Sequence, residues 1–164
     1  MSIDEYPAWE QVHNGATIVD LHAHPSLKSS LFKRALTRSF KSGRAFDPLS
    51  VRTDFPKLRE GGVDVLLSTV YAPEKGIYEE CPYLKLLRFL MPITWARVFR
   101  RSPLEVTVNM LDRMENQVRQ ARDDDTGKPL ARLVTSVTEM EAVLAQDGNR
   151  PIAVIHNVEG AHSL

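Results

Sequence analysis

Three short apolar runs constrain the fold of this chain more than any other feature. They span residues 16–24 (ATIVDLHAH), 63–71 (VDVLLSTVY) and 152–159 (IAVIHNVE). Runs of this length, rich in β-branched and aliphatic residues, are typical of strands that are buried on both faces, as in parallel sheets. Strands that alternate with helices are joined by right-handed crossovers. The sequence therefore predicts an α/β fold in which these three strands run parallel, either in an open doubly wound sheet or in a (β/α)8 barrel.

The segments between the runs carry helical signals. Helices are predicted over residues 26–44, 54–60, 104–122 and 139–147, and a further short strand over 131–136. Thr53 is the expected N-cap of the helix over 54–60. Thr138 and Glu141 have the spacing of a capping box, which predicts the start of the last helix. The pattern alternates between strand and helix along most of the chain.

Residues 72–102 do not fit this alternation. Pro73, Pro82 and Pro92 interrupt apolar and basic stretches there, and Pro103 follows, so the segment is predicted to be an irregular, lid-like insertion. Its part over 83–100 (YLKLLRFLMPITWARVFR) is too apolar to be fully exposed. We expect it to cover the mouth of a site or to form a subunit contact in a homo-oligomer.

Length, charge and cysteine content exclude several classes of protein. The chain has 164 residues, which suits one domain, and its 21 basic and 21 acidic residues give no net charge to attract nucleic acid or an anionic membrane. One cysteine cannot form an intramolecular disulfide. No apolar stretch resembles a signal peptide or approaches the roughly 20 residues that span a bilayer. We expect a cytoplasmic protein.

The segment from Asp20 to His24 (DLHAH) is the strongest candidate for a functional site. Residues two apart in a strand point to the same face, so His22 and His24 are predicted to project together at the end of the first strand. Two adjacent imidazoles make half of a zinc site. Asp20 shares their parity and is a candidate hydrogen-bond partner for one imidazole. The alternative is a pair of histidines in a strand-to-loop turn that binds nothing.

The last strand offers two further candidates. His156 and Glu159 are predicted to point to opposite faces, so they are not expected to bind the same metal ion. Glu159 ends the strand beside a flexible glycine, which suits a metal ligand, although spacing alone favours a solvated carboxylate. His156 is expected to pack beneath a helix or against a neighbouring strand.

Three segments, taken in order, resemble the membrane dipeptidase (renal dipeptidase) family of the metal-dependent amidohydrolase superfamily. They are residues 19–25 (VDLHAHP), 54–63 (DFPKLREGGV) and 158–164 (VEGAHSL). The resemblance implies a (β/α)8 TIM barrel that holds two zinc ions. It also implies hydrolysis of a small dipeptide-like substrate by a hydroxide that bridges the metals.

The resemblance also implies roles for individual residues. His22 and His24 match the ligand pair of the first strand, and Glu159 matches the catalytic carboxylate that bridges both metals. His162 and Asp20 are expected to support the ligands through hydrogen bonds or packing. The chain has H-x-H where the dipeptidases carry H-x-D, which lowers the negative charge around the metals. Metal identity and substrate therefore stay open.

A complete barrel of this kind needs about 250 residues. Residues 1–164 are therefore expected to form the N-terminal part of one barrel domain, inactive alone, with further ligands beyond Leu164. Two other functions remain possible. One is an amidohydrolase that opens a lactone or a cyclic amide, and the other is a non-catalytic interaction module derived from a barrel.

Overall fold

The computed structural model describes residues 9–39, 51–80, 82–146 and 148–163. Four strands occur in this part of the chain: β1 (Ile18–Ala23), β2 (Val63–Tyr71), β3 (Ala131–Leu133) and β4 (Ile152–Glu159). The helices described there are α1 (Trp9–Gly15), α2 (Pro25–Phe32), α3 (Phe55–Glu60), α4 (Lys75–Glu80), α5 (Pro82–Leu90), α6 (Pro92–Phe99), α7 (Pro103–Gln120) and α8 (Val137–Leu144). A single 3-10 turn, Ala161–Ser163, follows β4.

The four strands form one parallel sheet in the order β1-β2-β4-β3. The parallel pairing of the three strands predicted from the apolar runs is therefore confirmed. The short strand β3 is also present, although it ends three residues earlier than predicted. It pairs only with Ile152, Ala153 and Val154, the first residues of β4. The protein is thus a mixed α/β fold built on a four-stranded parallel sheet.

Helices cover both faces of this sheet. On one face, Leu66 and Val154 share an apolar cluster with Met114 and Val118 of α7. On the other face, the neighbouring strand residues Val65 and Ala153 pack with α8. The connections from β1 to β2 and from β2 to β3 both run towards the β3 edge of the sheet, whereas the connection from β3 to β4 runs back towards β1. A right-handed connection in that direction must pass over the opposite face, which explains the position of α8.

The α8 face is covered only in part. Its apolar cluster takes in Val65 and Leu67 of β2 with Ala153 and Ile155 of β4, all in the first two-thirds of their strands. The residues that follow on the same face, towards the carboxyl ends of β2 and β4, are Thr69, Tyr71, Asn157 and Glu159. Polar side chains therefore occupy the edge of the sheet where α/β proteins place their sites.

Three helix boundaries differ from the prediction. The helix predicted over 26–44 ends at Phe32, since Lys33 adopts a left-handed conformation with φ 53°, and the predicted stretch 40–44 lies outside the described residues. The N-cap of α3 is Asp54 rather than Thr53, and its side chain accepts from the Lys57 N–H at 3.0 Å. The N-cap of α8 is Ser136 rather than Thr138. In each cap an oxygen three residues upstream binds an N–H that the helix leaves unpaired.

The prediction that residues 72–102 are irregular was wrong. The segment contains α4, α5 and α6, with Pro82 and Pro92 at the first positions of α5 and α6. Proline fits a helix start because the first N–H groups have no partner within the helix. Its exposure is uneven: Val98 and Phe99 of α6 are buried, whereas Phe89 and Leu90 of α5 are 79% and 70% exposed.

The longest helix, α7, begins and ends within two residues of its predicted limits. Ser102 caps it, and Glu105 completes the capping box by accepting from the Ser102 N–H at 3.1 Å. None of the helices in the described part of the chain combines the length and apolarity that a bilayer crossing requires.

We predict that His156 makes the fold sensitive to acid. It pairs with Ser68 on the α7 face, and burial lowers its pKa below the usual 6.5, while Glu115 on α7 acts in the opposite direction. The neutral imidazole is therefore favoured in the folded state. Its contribution to the free energy of unfolding is complete above pH 6.5 and is lost as the pH falls below that value.

Denaturant titrations between pH 7.5 and 5 test this expectation. The His156→Leu variant should lose less stability on acidification than the wild type. The matched control is His13→Leu, on α1, which should follow the wild-type curve. Equal acid sensitivity in wild type and His156→Leu would contradict the prediction.

Candidate metal centre

The register between β1 and β2 contains an irregularity next to the two histidines. Asp20 pairs with Leu66 and Ala23 pairs with Ser68, so three steps along β1 oppose two steps along β2. This is a β-bulge, in which one extra residue reverses the faces of the residues that follow. The Asp20 carboxylate supports it, since Oδ1 accepts from the His22 backbone N–H at 3.0 Å.

The bulge decides which way the imidazoles point. Ala23 packs in the apolar cluster that contains Leu66, on the α7 face. Its neighbours His22 and His24 therefore point to the opposite face, the one that carries Glu159. Asp20 pairs with Leu66 and lies on the α7 face. The expectation that Asp20 shares the face of the histidines was thus wrong, because it assumed a regular strand.

Side chains from β1 and β4 meet over the end of β2. His22 Nε2 lies 3.0 Å from His24 Nε2, and Glu159 Oε2 lies 3.4 Å from the former and 3.1 Å from the latter. Within the described residues these three form a group that could hold a metal ion. The structure therefore brings together the three ligands that the resemblance implies.

Hydrogen bonds alone do not account for this triangle. A neutral imidazole has one N–H, which points at one acceptor, and a carboxylate donates none. At most two of the three contacts can then be hydrogen bonds, and the third sets two lone pairs or two N–H groups against each other. A cation bound by all three atoms removes this conflict.

The spacing also fits zinc. Ligand atoms bound tetrahedrally at about 2.0–2.1 Å lie about 3.3 Å from one another. The observed separations of 3.0, 3.1 and 3.4 Å are close to that value. Two histidines and one carboxylate are a ligand set that catalytic zinc sites use, with a fourth position left for water or substrate.

The site is open to solvent on one side. The side chains of His22, His24 and Glu159 are 54%, 31% and 46% exposed. His24 Nδ1 is nevertheless buried and has no hydrogen-bond partner among the described residues. An imidazole that binds a metal through Nε2 carries its proton on Nδ1 and usually donates it to a carbonyl or carboxylate.

Glu159 owes its position to the end of β4. Gly160 follows it with φ 88°, a conformation that L-residues avoid, and a Cβ there would overlap the ring of His162. The chain can therefore turn directly after the carboxylate. Tyr71 pairs with Glu159 in the register of β2 and β4. Burial, followed by the charges of Glu74 and Glu159, raises the pKa of the Tyr71 phenol.

The predicted supporting residues contact other partners. His162 Nε2 lies 2.8 Å from the Ala72 carbonyl oxygen, its Nδ1 lies 3.3 Å from Glu74, and its ring packs edge-on against Tyr71. It thus fixes the turn after β4 and does not reach the three ligands. Asp20 contacts the backbone of His22 and not an imidazole.

Tyr71 was not singled out from the sequence. Its place as the last residue of an apolar run was the available signal, since the carboxyl ends of parallel strands share one edge of the sheet.

We predict that the chain binds zinc through this group. Loss of His24 or Glu159 removes a ligand, so His24→Ala and Glu159→Gln should weaken zinc binding by more than the roughly 10- to 100-fold that loss of an outer hydrogen-bond partner costs. Competition with a chromophoric chelator measures the affinity. His13→Ala is the control and should bind zinc as the wild type does. Equal affinity in all four proteins would exclude the site.

The bulge supplies a second prediction. Asp20→Ala removes the acceptor for the His22 N–H and should weaken zinc binding about 10-fold, as loss of an outer partner does. Asp20→Asn keeps an oxygen acceptor and should restore most of the affinity. If both variants bind zinc equally weakly, the carboxylate acts through its charge and not through the bulge.

Comparison with protein-family models, with the curated proteins and with the solved structures finds no match. The likeness to the membrane dipeptidases thus remains a resemblance carried by three sequence segments. Any function must be argued from the geometry of His22, His24 and Glu159.

Proposed function

We propose that this chain contributes the first part of the metal centre of a hydrolase of the dipeptidase type. One observation carries the proposal: His22, His24 and Glu159 converge from two strands at the carboxyl edge of a parallel sheet. Enzymes with α/β folds build their sites at this edge. The resemblance to the dipeptidases adds the reaction, which is cleavage of an amide bond in a small dipeptide-like substrate.

A zinc ion bound here would polarise the scissile carbonyl and lower the pKa of its bound water towards about 7. The residues of the chain would bind the ion and accept a proton. His22 and His24 would hold the ion through Nε2, the atoms that face Glu159. Both contacts of Glu159 involve Oε2, so Oε1 has no partner among the described residues. That second oxygen is available to bind a second zinc ion or to hold a proton during hydrolysis.

We also propose that the sheet is part of a (β/α)8 barrel. Val19 and Leu21 on the edge strand β1 are 43% and 66% exposed, although they are large apolar residues in a parallel sheet. On the side of β4 where β3 pairs with residues 152–154, residues 155–159 have no strand partner in the described part of the chain. Further strands would cover Val19 and Leu21 at one end of the sheet and pair with residues 155–159 at the other.

One observation favours keeping a second candidate reaction. The chain has a histidine, His24, where the dipeptidases carry a carboxylate. The H-x-H form is common elsewhere in the amidohydrolase superfamily, whose members also open lactones and cyclic amides. A substrate panel of L,L-dipeptides, L,D-dipeptides and lactones separates the two reactions.

We predict the following for the longest natural chain that contains these 164 residues. With zinc it should hydrolyse dipeptides, and His22→Ala or Glu159→Gln should lower kcat/KM about 100-fold or more, as expected for loss of a metal ligand or proton acceptor. His156→Leu, on the other face of β4, should retain turnover at a temperature where it stays folded.

Residues 1–164 alone should hydrolyse dipeptides no faster than zinc ions in buffer do, because the open site neither orients a substrate nor excludes water. Near-normal activity of Glu159→Gln would remove this residue from the mechanism. A longer chain that binds zinc but hydrolyses nothing in the panel would favour an interaction module.

A further inference from the structure

A cavity of about 280 Å³ lies between α2, α6 and α7, and the metal ligands do not line it. Three arginines surround it: Arg97 on α6, Arg101 just after that helix, and Arg113 on α7. Its remaining lining residues are neutral. This concentration of positive charge contrasts with the zero net charge of the whole chain.

Arg97 and Arg101 are exposed to solvent, and Arg113 is half-buried. In the described part of the chain none of them forms an ion pair with a carboxylate. The one hydrogen bond of Arg113 there joins its Nε to Ser29 Oγ at 3.1 Å, which leaves its two terminal nitrogens available. Burial, followed by the positive charge of Arg97, lowers the pKa of Arg113. An anion bound beside Arg97 and Arg113 would offset the repulsion between their positive charges.

One polar group beside the arginines also lacks a partner among the described residues. Ser30 Oγ on α2 is buried without a hydrogen-bond partner among the described residues, and Ser30 lines the cavity. Thr94 lines it too and is only 6% exposed. A buried hydroxyl without a partner is rare in folded proteins and points to a missing ligand or water.

We propose that this cavity binds the phosphate group of a small ligand. Three guanidinium groups match a phosphate, which carries nearly two negative charges and three acceptor oxygens, better than they match a carboxylate with one charge. Ser30 donates to a phosphate oxygen. Val98, Val106 and Met110 form an apolar wall that suits the organic part of a phosphomonoester.

Calorimetric titration of the 164-residue chain in phosphate-free buffer tests the proposal. The probes are phenyl phosphate, inorganic phosphate and succinate. We expect saturable one-to-one binding of phosphate compounds and at least 10-fold weaker binding of succinate. Tighter binding of phenyl phosphate assigns a phosphomonoester, and equal binding assigns free phosphate. Succinate that binds as tightly as both, or no saturable binding, would overturn the proposal.

Variants show whether the cavity is responsible. Arg97→Gln and Arg101→Gln should each weaken phosphate binding about 10-fold, the loss typical of one charged hydrogen bond. Arg100→Gln removes the same charge from a neighbouring residue that does not line the cavity, and it should bind as the wild type does. Equal weakening in all three variants would show that only net charge matters and would overturn the assigned site.

Thermal unfolding gives an independent measure. Because Arg97 and Arg113 repel each other, Arg97→Gln should not lower the Tm without ligand, and it should lose most of the phosphate-induced increase that the wild type shows. A Tm increase that persists in Arg97→Gln would place the bound anion elsewhere.

Discussion

The register between β1 and β2 controls the position of the candidate metal centre. One extra residue between Asp20 and Ala23 places Ala23 in the core and turns His22 and His24 to the face of Glu159. Without it, both imidazoles would follow Asp20 to the face that α7 covers. Burial of two imidazoles there without partners would cost free energy, so the core itself selects the bulged register.

Strand order is the second requirement. β4 lies next to β2 and two positions from β1, so the side chains of Glu159 and the histidines reach each other across the end of β2. The crossover that returns from β3 places α8 on the same face, but only over the first parts of the strands. The polar ends of the strands are left open as a consequence. The first part of β2 and β4 therefore packs against α8, and the last part carries the polar side chains of the candidate site.

The sequence predicted the strands well because strands buried on both faces leave continuous apolar runs. It also indicated that His22 and His24 share a face, which holds because both lie at or beyond the bulge. It failed for Asp20, since a bulge leaves no trace in the apolar pattern. Spacing favoured a solvated Glu159, because the partners of a strand-end carboxylate depend on strand order. Only the resemblance to the dipeptidases indicated otherwise.

Helix boundaries were also not fully predictable from residue type. Thr53 and Asp54 are both acceptable caps by residue type, as are Ser136 and Thr138. Tertiary packing chose among them: Asp54 is fully buried and also pairs with Lys57 at 2.8 Å. The cavity lined by arginines had no signal in the sequence, because its residues come from three helices that meet only in the folded chain.

X-ray absorption at the zinc edge of the zinc-loaded chain tests the central claim most directly. We expect a first shell of nitrogen and oxygen at about 2.0–2.1 Å. Outer-shell scattering should correspond to two imidazoles, and to one imidazole fewer in His24→Ala. A sulfur shell at about 2.3 Å, or an absence of imidazole scattering, would show that zinc binds elsewhere. Either result would contradict a centre built from His22, His24 and Glu159.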